Sequence, residues 1–270
     1  MLTVNPFATL GGAVSPAVMQ AYVVLMVLAV IAGTLFDVVH KGSARYFFEN
    51  LRKSNAKGSS ALGGGELVSI AVQTAVVDVL ASGEFCNPQR RVAHLLGMYG
   101  FVLYVLATVV LVFDPAAGAN WAQLWWLGGL MVCAGGYWFW FFIRVDVAAE
   151  GSSPWRVMRA DLFILSLLAS ATLGLVWAAA GGGAGVLFFL YIVATTVLFV
   201  GVPWSKFAHM FFKPAAAFEK RVSKANGSAE NLPTQTRDDP EQQKRHSMQL
   251  LQNAPMDMGL GIKREAPRHY

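Results

Sequence analysis

Charge is scarce in this sequence. Only 14% of its 270 residues are Asp, Glu, Lys or Arg, roughly half the share of a soluble domain, while 55% are hydrophobic. Cysteine is scarcer: Cys86 and Cys133 are the two present, far apart and in no C-x-x-C pair, which argues against an iron–sulfur centre or zinc site of the chain's own. No phosphate-binding glycine loop and no nucleophile–histidine–acid set can be found. Segments of about ten alternating residues, the mark of a membrane β-barrel, are also missing.

What the sequence has instead is apolar residues in blocks of about twenty, the length of an α-helix crossing roughly 30 Å of hydrocarbon. Backbone polar groups left unpaired in lipid are too costly for any other structure of that length. The expected fold is an all-α membrane protein, a five-helix transmembrane bundle with spans at about 18–39, 92–113, 124–143, 162–180 and 186–207. An external segment 1–17 precedes it, a cytoplasmic loop 41–91 interrupts it, and a polar, flexible cytoplasmic tail 214–270 follows. The glycines at 181–185 read as a tight turn between spans four and five.

Basic residues are missing from the first seventeen positions, from the link DPAAGANWAQ and from the glycine turn. All 21 lie elsewhere: seven between Lys41 and Arg91, three between Arg144 and Arg159, and eleven from Lys206 onward. Such segregation predicts an outside N-terminus and a cytoplasmic loop and tail. The +5 formal charge is accounted for by that rule and by anionic headgroups, without a nucleic-acid partner. The first residues lack a basic n-region, so the first span is expected to be an uncleaved anchor. Within the loop, the stretch GELVSIAVQTAVVDVLASGEF has too many polar breaks to span. It reads as a helix lying on the membrane, on a partner or over the bundle ends.

Three of the five histidines fall at one expected depth. His40 closes span one, His94 opens span two and His209 closes span five, all near the inner interface. Imidazoles on facing helices are the usual axial ligands of a b-type haem. Around His94 the residues Ala93, Gly97 and Gly100 are small enough to admit a ring, and Arg90 and Arg91 can neutralise propionates. Around His209 stand Ala208 and Lys206. A second reading stays open: interfacial histidines that bond only lipid or a loop carbonyl. Asp37, one turn before His40, either bonds an imidazole, lines a proton path or reaches to the interface.

The motifs NPQRRVAHLLGMYGFVLYV and PWSKFAHMFFKP, with the five-span layout, resemble the cytochrome-b-like γ subunits of nitrate reductase type. They are closer to the membrane domain of quinone-interacting membrane-bound oxidoreductases, and closest to the membrane anchor associated with dissimilatory adenylylsulfate (APS) reductase. The resemblance covers about 65–214. It implies a multi-pass subunit of the bacterial inner membrane that docks a cytoplasmic iron–sulfur flavoprotein, APS reductase, and passes its electrons to or from membrane quinone. It implies histidine pairs for two haems, and the inner pair falls on His94 and His209. The outer pair falls on Tyr104 and Tyr191, so one cytoplasmic-side haem b is expected at most, with His40 as an alternative ligand. Quinone contacts are sought at His40, Arg144, Trp204 and Lys206. The competing expectations are a haem-free anchor with a docking role only, and a small transporter. The lack of mid-span charge and of internal repeats argues against the transporter.

Overall fold

A computed structural model describes residues 2–40, 42–83, 85, 88–144, 155–158, 161–205, 209–230 and 232; the side chains of His209 and Phe211 lie outside the described residues. The described residues are helical, with no strand among them. The chain divides into two compact units.

The first unit contains the membrane-spanning elements. Helix α1, Pro16–His40, begins with proline at its first position, where a missing N–H costs nothing, and Ser15 Oγ accepts from Val18 N at 3.4 Å. Helix α4 is Pro88–Phe113 and α5 is Ala119–Trp138, continued by a π-helical turn, Phe139–Ile143. Helix α6 is Leu162–Ala179 and α7 is Val186–Val200. Between them Gly181, Gly182 and Gly183 take φ of +96°, +71° and +90°, values that only glycine adopts without strain.

Four helices, α1, α4, α5 with its π turn, and α6, are long and apolar enough to cross a membrane. The expected fifth span differs. Helix α7 has 15 residues, roughly 22 Å, and stops at Val200 before a short 3₁₀ turn, Val202–Trp204. The break has a local cause: Pro203 has no N–H to continue the ladder. His209 therefore does not close that helix. It opens α8, His209–Ala225.

Helices α4 and α5 approach through a seam of small residues. On α4 the buried Ala93, Gly100 and Ala107 recur every seven residues, as do Gly128 and Gly135 on α5. A Cβ on Gly128 would lie 2.6 Å from Tyr104 N, and one on Gly135 would lie 2.6 Å from Ala93 O. Backbone meets backbone here, the packing by which apolar helices associate in lipid.

The N-terminal segment is not a loose extension. Asn5 Nδ2 donates to Leu111 O at 2.9 Å, and Asn5 Oδ1 accepts from Phe7 N at 3.0 Å. Phe7 is buried with its ring 6.0 Å from that of Trp125 and 5.4 Å from that of Trp177. Thr9 Oγ1 accepts from Gly183 N at 3.1 Å. One end of the helical unit is thereby capped.

The second unit is built from α2, Ser43–Lys57, α3, Gly64–Gln73 with its π-helical continuation Thr74–Leu80, and α8 from Lys213 onward. The expected helix between spans one and two is α3. The flexible tail is corrected for 214–225, which are helical. Ala217 and Val222 are buried, and Ser223 Oγ and Ser54 Oγ lie 3.0 Å apart. Asn226, 1% exposed, donates to Ser54 O at 3.1 Å and to Ser54 Oγ at 3.0 Å. The stretch AAAFEKRVSKA has the propensity for a helix. Pro214 masks it, yet stands only six residues in and removes one hydrogen bond. The rest of the expected tail, from 233, lies outside the described residues.

Candidate functional site

Arg90 and Arg91 stand exposed in the first turn of α4, and His94 is exposed one turn further. The spacing of 94, 97, 101, 105 and 108 keeps those residues on one face of a 3.6-residue helix. A Cβ on Gly97 would have no neighbour within 4 Å, so the face beside His94 is open. Phe101, Tyr104, Val105 and Thr108 further along line a cavity of about 360 Å³ between α1, α4, α6 and α7.

The two other small residues near His94 serve a different purpose from the expected one. Ala93 and Gly100 face α5: a Cβ on Gly100 would lie 2.8 Å from both Gly128 O and Val132 N. They set the approach of two helices rather than room for a ring, because seven-residue spacing places them on the α5 side of α4. Gly97 alone of the three has space beside it.

His40 ends α1, is exposed, and stacks on Phe36 one turn earlier at 5.3 Å and 8°. Asp37, about one turn before His40, is 2% exposed and so is enclosed rather than reaching outward. Trp204 is 56% exposed at the end of the 3₁₀ turn. His209 begins α8, but its side chain, like the whole of Lys206, lies outside the described residues. The next residue, Met210, lines the cavity.

Arg144, expected as a quinone contact, has donors engaged within the chain. It forms an ion pair with Asp161, the two side chains being 8% and 12% exposed. It also donates to Arg156 O at 2.8 Å and lies 3.8 Å over the Trp140 ring. Asp161 accepts from Met158 N at 2.8 Å as well. A buried pair held this fully ties the residue after the π-helical turn to the residue before α6 and leaves little of the guanidinium for a ligand.

Tyr104 and Tyr191, the two tyrosines at the positions of the expected outer pair, are core residues. Tyr104, 5% exposed, stacks on Trp125 at 4.9 Å, and Tyr191, 4% exposed, stacks on Trp177 at 5.7 Å. A Cβ on Gly174 would collide with the Tyr104 hydroxyl, so that glycine makes the space the phenol occupies. Around them lie Thr108, Ser170 and Thr195, also lining the cavity. Hydroxyls scattered through an apolar sequence gave no sign of this convergence. The period-seven and period-four spacing on each helix carries part of it, but pairing the helices requires the fold.

In the second unit Arg45 pairs with Glu49 at 2.7 Å, Lys57 with Glu230 at 2.7 Å and Arg221 with Asp78 at 2.6 Å. The hydrogen bond from Arg45 holds the Glu49 carboxyl below its ordinary range. Arg52 and Lys53 on α2 and Lys224 on α8 are exposed and carry no ion pair among the described residues.

Among the described residues no three His, Cys, Asp or Glu side chains gather as a metal-binding group. No protein-family model, characterised protein or solved structure matches this chain.

Proposed function

We propose that this chain is the membrane subunit of an oxidoreductase complex. It docks a cytoplasmic iron–sulfur flavoprotein, of which APS reductase is the type implied by the resemblance, and passes electrons between that protein and membrane quinone. The single observation that carries the reading is the continuous face of α4. It begins at exposed Arg90, Arg91 and His94, passes the open flank of Gly97, and runs into an apolar cavity only two turns further along. A redox group at the first end and a lipid-soluble carrier at the other would lie roughly 10–15 Å apart along the axis, by the rise of seven to ten residues.

A b haem belongs to this reading. His94 and His209 would hold it, and Arg90 and Arg91 would balance its negative charge. Residues on α4 fit such a group: the imidazole is exposed and Gly97 leaves the neighbouring surface free. When bound, a haem supplies one-electron transfer, while the chain's own residues hold it and exclude water. Arg52, Lys53 and Lys224 would steer an acidic partner to the cytoplasmic side, an attraction that salt weakens. The fifth crossing would be made by α7 with the 3₁₀ turn after it, which would put the N-terminus outside a bacterial inner membrane.

A specific observation also favours the plainer reading of a haem-free anchor. Two of the three small residues near His94 are used up in helix packing. An absorption spectrum of protein purified from haem-replete cells separates the two. The redox reading expects a dithionite-reduced b-type α band that disappears in His94→Ala and His209→Ala. A colourless wild-type protein that still retains its soluble partner on affinity capture reduces the role to anchoring.

A further inference from the structure

Helix α3 and its π-helical continuation sort their residues onto two faces. On one face Thr74, 4% exposed, donates to Ile70 O at 2.8 Å. Asp78 on the same face accepts from Arg221 Nε at 2.6 Å and Nη2 at 2.9 Å, and Gln73 Oε1 accepts from Arg221 Nη1 at 3.4 Å. These bonds hold the polar face against α8 within the second unit. On the other face Val68, Val72, Val76, Val77 and Leu80 are 43–63% exposed, with exposed Ala71 and Ala75 between them. From Val68 to Leu80 no charged residue is exposed. The helix type keeps the apolar row straight. Four residues overshoot a 3.6-residue α-turn and fall short of the wider π-turn, so the opposite drifts cancel across Thr74 and 68, 72, 76 and 80 stay in line.

We propose that this face is a membrane-binding surface: α3 and its continuation lie flat in the lipid interface, with the valine row sunk among acyl chains. Chain connectivity favours lipid as the occupant. Residues 41 and 42 alone separate α2 from the end of α1, and residues 81–87, at most about 25 Å of chain, separate Leu80 from the start of α4. Both α1 and α4 are long and apolar enough to cross a membrane, so the segment is tethered to lipid at each end. The area favours it too. Five half-exposed side chains present well under the roughly 800 Å² that each partner gives to a specific protein interface. An uncharged face also offers an acidic partner no complement, whereas an apolar row on a helix whose polar side is occupied is what an interfacial helix buries. The surface serves the redox subunit and the haem-free anchor alike, and goes beyond both by giving the second unit a lipid contact of its own.

The test uses the full-length protein in phospholipid nanodiscs, with Cys86→Ser and Cys133→Ser, and a single nitroxide at Val68→Cys, Val72→Cys or Val76→Cys. Leu28→Cys, exposed in the middle of α1, is the lipid-facing reference. Power saturation compares accessibility to oxygen, which concentrates in lipid, with accessibility to a water-soluble nickel chelate. All three positions are expected to favour oxygen severalfold, in the same sense as Leu28. Accessibility that favours nickel would mean that the face looks into water, as one kept for a soluble partner would in the purified protein, and overturns the proposal. Low accessibility to both would mean that protein covers the face, and overturns it as well. A second measurement on the unmodified chain serves if the cysteine-free variant fails to fold. A lipid-soluble diazirine, photolysed in the same nanodiscs, is expected to label residues 64–80 to within about threefold of α1, as lipid-buried helices on one chain should be. Labelling there below about a tenth of that on α1 contradicts a helix sunk among acyl chains.

Discussion

Gly97 and Gly100 lie three residues apart on α4 and allow the helix seam to be weighed directly. Replacing either with alanine adds one methyl group and removes the conformational cost of glycine in a helix, about 1 kcal/mol. At Gly97 nothing lies within 4 Å of the new carbon, so that gain stands alone. At Gly100 the new carbon would meet Met131 Cβ at 2.7 Å, and Gly128 O and Val132 N at 2.8 Å. Two of these three atoms are backbone and cannot turn aside. Relief to ordinary contact near 3.4 Å requires α4 and α5 to part by more than half an ångström. A gap of 0.5–1 Å forfeits about a quarter to a half of each facing dispersion contact, and overpacked cores lose about 1–3 kcal/mol, occasionally more. Gly97→Ala is therefore expected to stabilise the bundle by about 0.5–1 kcal/mol. Gly100→Ala is expected to destabilise it by up to about 2 kcal/mol after the helix gain is subtracted. Reversible unfolding in mixed dodecyl maltoside–SDS micelles, followed by far-ultraviolet circular dichroism, measures both. Equal shifts in the two variants would refute the close α4–α5 approach, since propensity alone treats the positions alike.

Two further outcomes follow from buried polar contacts. Arg144→Ala leaves the Asp161 carboxylate, 12% exposed, without its cation and should cost about 3–5 kcal/mol in the same unfolding assay, while Arg144→Ala with Asp161→Ala should recover most of it. A single variant no worse than the double would show that the buried carboxylate does not depend on the Arg144 cation. In the second unit, Asn226→Ala removes donors to Ser54 O and Ser54 Oγ and should weaken the α2–α8 contact by about 2 kcal/mol. Amide exchange should then quicken together in both helices, and acceleration confined to α8 would contradict that pairing.

The membrane class was legible in the sequence because it depends on composition over windows of about twenty residues, and a run of that length has one viable backbone in lipid. Four of the five expected spans correspond to helices long enough to cross. Local breaks were harder to read: Pro203 ends α7 at Val200, whereas Pro214 leaves α8 unbroken, although both are prolines in similar surroundings. What separates them is position relative to a helix start and what the flanking face can bury, and the second of these is a property of the neighbouring helices. The role of the small residues beside His94 was misread for the same reason. A glycine in a membrane helix leaves space, but the sequence does not say whether a ligand, lipid or another backbone fills it. For Gly100 it is another backbone; for Gly97 it is none of this chain's described atoms.

By itself, then, the sequence determined that the chain crosses a membrane as helices, where its cations gather, and which histidines stand near the ends of the apolar runs, because each follows from residue chemistry along one dimension. Only the tertiary structure decided that Phe7 caps the bundle, that Arg144 is closed off by Asp161, and that five hydroxyls from three helices surround one cavity. Those depend on which faces meet, and between helices that are apolar all round, shape and unmet hydrogen bonds choose the partner where hydrophobicity cannot.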